Sequence, residues 1–427
     1  MTGALLELIS RGKKDAYCFG QPGSQYYSKS YLYTPPVVWT NTSIPPKNVA
    51  KWGGIVEFDL NPVADLVNAF RFTIHFPSVA AATGFGYVDA PAIYLFEWIE
   101  VYSDTHLIQR LTPSALDLWF QRGYWSSDYR ASATEIGRMV GRRTTPEQTP
   151  SFTYVSAAES DLQRICILPL PILGCNRQTD PPFPMRCVTT SQISIRARIK
   201  TLKAMLESFP TAGQPFTMPV EVFARGPDIN LVYDTGFVSV AVRDTLLKSR
   251  RSVLIEHIQT VEFPIEKVKL ATAAAIGSID IKFPRMDIRG PIKMISAIVQ
   301  TASARTANQY SVYEPLTTYM SSINLISNGH ERFYALDPYY YMDAGGTAGT
   351  EGMQDVVFSP ATEPEKRSPT GTLYFNPSEK CFMTGQLLGT TTEDRIYIVV
   401  NALGYTTLEL RDGIARPGAV PGSNEII

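Results

Sequence analysis

An all-β fold of two consecutive eight-stranded antiparallel jelly rolls, with short helices confined to loops, is what this amino-acid sequence predicts. Three observations predict it. Apolar and polar residues alternate with a period of two in one segment after another, as they do in strands with one buried face. The chain carries 31 Pro, 29 Gly and 11% aromatic residues, a composition of many turns between strands. Finally, 427 residues are too many for one ordinary core, and the strand rhythm restarts after about 200 residues, a period too long for a propeller.

The elements follow in order. In residues 1–17, Leu5, Leu8 and Ile9 recur at helical spacing before Gly12 ends the pattern, giving an N-terminal arm. Arg11, Lys13 and Lys14 follow this apolar run, which has the wrong polarity for a signal peptide and is too short to span a membrane. The first jelly roll is assigned to residues 18–242. Residues 26–39 are aromatic and extended, and Pro35-Pro36 excludes a central strand there. Within 55–60, Val56, Phe58 and Leu60 oppose Glu57 and Asp59; within 70–76, Phe70, Phe72, Ile74 and Phe76 oppose Arg71, Thr73 and His75.

A strand over 94–102 leads to a helix with Thr112 as N-cap, Pro113 at its first position, and Leu116, Trp119 and Phe120 on its packing face. Residues 123–163 read as a polar surface excursion, and strands resume at 164–170. After a Pro-rich loop at 181–184, the strand 193–200 sets Ile193, Ile195, Ala197 and Ile199 against Ser194, Arg196, Arg198 and Lys200. Its basic face reads as a solvated sheet edge or as a contact for an acidic partner. Strands at 220–223 and 229–233 close the domain.

The second jelly roll is assigned to residues 243–427. It opens with a helix over 243–251 and continues with strands at 254–263, 278–283, 292–300 and 323–327. In its closing stretch, 363–413, Ser368-Pro369-Thr370-Gly371 leads into the short strand Leu373-Tyr374-Phe375. Residues 395–401 are apolar on both faces, as in a strand between layers, and Gly404 offers a tight connection to a final strand over 405–411. Lys366, Arg367, Glu393 and Asp394 read as turn and rim charges.

A net charge of −1 and a pI near 6.5 provide no basic field for a phosphate backbone, so direct nucleic-acid binding is not expected. The five cysteines, Cys18, Cys166, Cys175, Cys187 and Cys381, include no C-x-x-C pair and read as reduced thiols. Of the four histidines, none has metal-site spacing; His75 reads as surface, beside His106, His257 and His330. The glycine-rich run 345–352 lacks the lysine of a phosphate loop. Glu97 with Glu100, or Asp337 with Asp343, are carboxylates of the kind that pair in glycosidases, but nothing in the sequence sets their separation. No catalytic, cofactor-binding or metal-binding residue is therefore assigned, no cofactor is expected, and the chain is read as non-enzymatic. One sequon, Asn41-Thr42-Ser43, is present.

With the strands in this order, the chain resembles the double-jelly-roll major capsid proteins of nucleocytoplasmic large DNA viruses. Pro291-Ile292-Lys293 running to Ile298-Val299-Gln300 is similar to one of that family's strands. Asn328-Gly329-His330-Glu331-Arg332-Phe333 with Asp337-Pro338-Tyr339-Tyr340-Tyr341 resembles its N-G-x-x-R-F and aromatic segment. Glu363-Pro364-Glu365, Ser368 to Asn376, and Ile396 to Asn401 with Tyr405 resemble its closing signature and last strands, while Gly3 to Asp15 looks like its opening. Ser or Ala stands where the family has Trp in the 291–300 strand.

The resemblance implies a mechanical role. The chain would form a homotrimer, a pseudo-hexagonal capsomer that tiles an icosahedral shell against neighbouring capsomers. Residues 1–17 would reach minor capsid proteins or an inner membrane, and the virion, assembled in the host cytoplasm, would be its location. Two further readings stay open: a divergent minor capsid protein of the same fold, and a carbohydrate-binding jelly roll using exposed aromatics such as Tyr339, Tyr340 and Tyr341.

Overall fold

A computed structural model describes residues 37–60, 64–77, 85–121, 139–141, 165–175, 181–208, 226–248, 251–327, 329–336, 356–361, 371–375, 381–389, 392–411 and 413–417. The first strand set comprises β1(Val38–Ile44), β2(Ile55–Asp59), β3(Leu66–His75), β4(Phe85–Tyr87), β5(Phe96–Ser103), β6(His106–Leu111), β7(Ile165–Pro169), β8(Ile193–Ile199), β9(Leu206–Ser208) and β10(Asp228–Phe237). They make two four-stranded antiparallel sheets, β1-β10-β3-β7 and β2-β8-β5-β6, with β4 and β9 as a small ribbon.

The second set comprises β11(Arg251–Glu266), β12(Ile279–Lys282), β13(Gly290–Thr301), β14(Met320–Ser327), β15(His330–Leu336), β16(Val356–Phe358), β17(Leu373–Phe375), β18(Cys381–Leu387), β19(Arg395–Arg411) and β20(Ile414–Pro417). A six-stranded sheet runs β11-β19-β13-β16, with β17 also on β13 and β20 on β19, and a four-stranded sheet runs β12-β18-β14-β15. Among the described residues no ladder joins a strand of one set to a strand of the other. Val38–Ile427 nevertheless form one compact unit.

Both sets are sandwiches because the period-2 patterns point inward as read. Val56, Phe58, Phe70, Phe72 and Ile74 have no exposed surface. The rings of Phe58 and Phe72 lie 5.2 Å apart and those of Phe72 and Phe96 5.3 Å apart, so β3 of one sheet interlocks with β2 and β5 of the other. In the second set, Phe263, Ile295, Leu325, Met383 and Ile398 share one core. Each such side chain contributes roughly 1.5–3 kcal/mol through burial.

Several boundaries differ from the sequence reading. Strand β3 begins earlier than residue 70: Ala69 adopts φ 49° and the pairing slips between Val232 and Asp234. This bulge turns both Val67 and Phe70 inward and breaks the alternation that marks a strand. Strand β5 starts at Phe96 because Pro91 opens the short helix α1(Pro91–Tyr94), which takes Tyr94 out of the strand. The helix α2(Pro113–Gln121) is capped as expected, Ala115 N donating to Thr112 Oγ1 at 3.4 Å.

The helix expected over 243–251 is displaced to α4(Val240–Lys248), following the one-turn α3(Leu202–Met205) earlier in the chain. Arg251 is drawn into β11 by pairing with Leu410. The largest correction concerns residues 395–411. They form one uninterrupted strand, β19, and Gly404 is not a turn: it pairs with His257 on β11 and with Ile292 on β13. A Cβ there would lie 2.6 Å from Ile292 Cδ1 and 2.7 Å from the Pro291 carbonyl oxygen, so glycine permits the close approach of three strands. Residues 1–17, 123–138, 142–163, 220–223, 337–343, 345–352 and 362–370, on which other readings fall, lie outside the described residues.

Candidate functional site

The central strands of the six-stranded sheet, β13 and β19, are largely buried on both faces, and elements of the first strand set pack on the outer one. Along β19, Ile396, Ile398 and Val400 enter the second core, whereas Val399, Asn401, Leu403 and Tyr405 are buried on the opposite side. There Val399 and Ile298 pack on Leu118 of α2. Polar side chains cross the same seam. Gln109 of β6 donates through Nε2 to the carbonyl of Glu256 on β11 at 3.2 Å, and Thr112 Oγ1 meets Thr260 Oγ1 at 2.8 Å. Thr260 in turn donates to Asn401 Oδ1 at 2.8 Å.

A loop of the second set clasps the first. After α6(Ala302–Thr306), which follows α5(Lys267–Ile276), Asn308 takes a left-handed conformation, φ 59°, suited to its short polar side chain. Its Nδ2 donates to the carbonyls of Lys203 and Leu206 at 2.9 and 2.7 Å. Tyr310 stacks on Tyr94 with centroids 5.6 Å apart, and the Tyr313 and Tyr94 hydroxyls meet at 2.8 Å; Tyr94 also donates to buried Asp117. Lys200 places its ammonium 3.7 Å from the Tyr310 ring centre. At the far end of the seam, the Gly413 carbonyl accepts from Thr190 N and Ser191 N, and Ser103 Oγ donates to the Ala415 carbonyl at 2.7 Å.

Charges in the seam are matched across strands. Lys293 of β13 and Glu256 of β11 form a fully buried ion pair, with the Lys293 ammonium 5.1 Å from the Tyr405 ring centre. Arg305 engages Glu262 through two bonds of 3.1 Å and Gln300 through a third of 2.7 Å. Burial lowers the Lys200 pKa to about 8, with Glu97 opposing the shift and Arg305 adding to it. Burial also lowers that of His257 to about 4. Gln259 fixes its form: Gln259 Oε1 accepts from Arg289 N, so its amide nitrogen donates both to the Arg289 carbonyl and to His257 Nε2 at 2.7 Å. His257 must therefore be neutral, with its proton on Nδ1.

The residues singled out in the sequence are dispersed. Strand β8 is not an edge; it lies between β2 and β5, and its basic face meets carboxylates of its own sheet. Arg196 bonds Glu57 at 3.2 Å and sits 4.9 Å over Tyr102, and Arg198 pairs with Glu97 at 2.9 Å. Glu97 is thus taken by Arg198, while Glu100 is taken by Arg110 and by Tyr102 OH. His106 and His330 are exposed, and His75 is half-buried on the outer face of β3. Asn41 lies on the exposed edge strand β1 and donates to Asp234 at 2.9 Å. Cys166, Cys175, Cys187 and Cys381 are buried. Among the described residues no three His, Cys, Asp or Glu side chains cluster as metal ligands, and no helix is long and apolar enough to cross a membrane. The seam itself went unread, because the alternation that marks a strand does not say what covers its second face.

No protein-family model matches the chain, and no curated protein matches it in sequence. Solved structures do match. The PBCV-1 VP54 crystal structure, fitted into a reconstruction of the virophage Sputnik, superposes with a TM-score of 0.69 at 13% identity, covering 92% of this chain and all of that one. This chain has the double-jelly-roll fold. The Faustovirus major capsid protein matches the double jelly roll with a TM-score of 0.61 at 11% identity over 94% of each chain. The mavirus major capsid protein matches it at 0.54 and 12% identity over 95% of this chain and 94% of that one. Both strand sets and their junction are included in these matches, since each spans nearly the full length of both chains.

Proposed function

We propose that this double jelly roll is a structural subunit of an icosahedral viral capsid, working as a homotrimeric, pseudo-hexagonal capsomer in the virion shell. The observation that carries the reading is superposition over 92–95% of this chain on PBCV-1 VP54 and on the Faustovirus and mavirus major capsid proteins. The seam suits the role. A shell tile transmits load between its neighbours, and two sandwiches joined by a buried sheet face behave as one block.

Within the same reading, the partners are neighbouring capsomers, with minor capsid proteins or an inner membrane met through residues 1–17, and assembly takes place in the host cytoplasm. Residues 1–17, 18–242 and 243–427 are its arm and two jelly rolls. Light scattering on the purified chain tests it. Three chains of 47.3 kDa give a particle of about 140 kDa, with a hexagonal outline by electron microscopy. A monodisperse monomer at micromolar concentration would overturn the reading.

A further inference from the structure

We infer that the seam cavity around Lys200 is a binding site for a single carboxylate group, presented on an apolar or aromatic stem. The cavity measures about 290 Å³ and opens between the two strand sets, with Tyr94, Lys200, Arg305, Tyr310 and Tyr313 among its walls. Its charges do not cancel in place. Two carboxylates line it, but Glu97 is held by Arg198 at 2.9 Å and Glu262 by Arg305 at 3.1 Å. Lys200 is left as the cation with no carboxylate oxygen in ion-pair contact among the described residues.

Lys200 N donates to the Leu95 carbonyl at 2.8 Å at the end of β8, and the side chain brings its ammonium 3.7 Å from the Tyr310 ring centre and 5.6 Å from that of Tyr94, beside the stacked pair. A cation–π contact satisfies part of its charge but none of its three N–H donors, which need acceptor oxygens. Burial accounts for a pKa lowered to about 8, and an anion at this point restores the solvation that burial removes.

The charge count selects the ligand class. One unspent cation balances one negative charge; a phosphate dianion would bring excess charge against Glu97 and Glu262, which already line the walls. The ring faces of Tyr94 and Tyr310 beside the ammonium favour an apolar or aromatic stem. A free small carboxylate and an acidic side chain of a neighbouring chain share this chemistry.

The test uses the purified full chain and its assembled particle. Thermal unfolding is followed at constant ionic strength with benzoate, with benzyl alcohol as the uncharged control, and with inorganic phosphate. The variants are Lys200→Met, which keeps an unbranched apolar side chain without the charge, and Lys200→Arg, which keeps the charge. In parallel, a map of the assembled particle is inspected for a neighbouring chain's carboxylate within 4 Å of Lys200 Nζ. A Tm rise with benzoate alone, weakened about tenfold or more in apparent affinity in Lys200→Met and retained in Lys200→Arg, supports the site with a free ligand. A neighbouring carboxylate in the map supports it with a protein ligand. An equal response in Lys200→Met, a response to phosphate or benzyl alcohol matching that to benzoate, or neither a benzoate shift nor a neighbouring carboxylate overturns it.

Discussion

Lys293 and Glu256 face each other from β13 and β11 with neither side chain exposed to water, the Glu256 side chain at 1% and Lys293 at 0%. The pair sits in the seam, where β19 lies between the two strands and carries Tyr405 beside it. Its two members are strongly interdependent. Removing one, as in Lys293→Met or Glu256→Leu, takes the buried countercharge away from the other and is expected to cost about 3–5 kcal/mol. The double variant Lys293→Met with Glu256→Leu is expected to recover most of that loss. Urea unfolding of the three variants measures it, and additive single losses in the double would refute the argument.

Gly404 is expected to tolerate no side chain. Its Cβ would meet the Pro291 carbonyl and the Ile292 side chain within 2.7 Å, and β13 cannot retreat without opening the second core. Gly404→Ala should lower stability by about 1–3 kcal/mol, the range for overpacking, with an unchanged fold by circular dichroism. A variant as stable as the parent would show that β13 can shift.

The same residue shows why some of the fold was legible and some not. Strands with one buried face are legible: for Val56, Phe58 and Leu60 the period of two and burial coincide. Gly404 reads locally as a turn because sequence alone does not distinguish a glycine that bends the chain from one that lets another strand pass. Arg196 and Arg198 read from sequence as a solvated edge or a contact for an acidic partner because the carboxylates that neutralise them, Glu57 and Glu97, come from strands distant in sequence. The contacts among Thr112, Thr260 and Asn401 have no local signal, although Thr112 is legible as a helix cap; only the packing of the strand sets brings them together.

His257 is expected to make stability fall in mild acid. Its folded pKa, about 4, lies below the ordinary value of 6.5, so the unfolded chain takes up the proton first. The stabilising contribution is complete above pH 6.5, is lost as pH falls toward 4, and changes no further below that. The loss amounts to at most about 3 kcal/mol. His257→Gln removes the titration and should flatten the urea midpoint between pH 6.5 and 4. An identical slope in the variant would assign the acid sensitivity elsewhere.

Asp65 anchors the helix that links the two strand sets. Completely buried, it accepts from Val238 N at 3.0 Å and from Arg243 Nε and Nη2 at 2.8 and 2.9 Å, fixing the start of α4. Asp65→Asn keeps the size of the group but replaces one acceptor oxygen with a donor facing donors. A loss of about 2–3 kcal/mol is expected, the range for a hydrogen-bonded charge. Differential scanning calorimetry gives the value, and Arg243→Met should cost less, since it leaves the bond from Val238 N.

The clasp formed by Asn308, Tyr310 and Tyr313 determines whether the two strand sets unfold together. Sandwiches of this size ordinarily melt as separate domains, because a typical interface inside a chain is modest and polar. Here the covered face includes the apolar contact of Leu118 with Ile298 and Val399, and the buried pair Lys293–Glu256. Opening the seam would expose all of these to water at once, so the interface is coupled to both cores. One calorimetric transition is therefore expected, with the van't Hoff enthalpy close to the measured one for the unit that melts. Asn308→Gly removes the two bonds to the Lys203 and Leu206 carbonyls while keeping the left-handed backbone. Combined with Tyr313→Phe, which takes away the hydroxyl contact to Tyr94, it should separate the endotherm into two or broaden it measurably. If the parent already shows two transitions, the seam is a contact between independent domains, and the rigidity argued for the block fails.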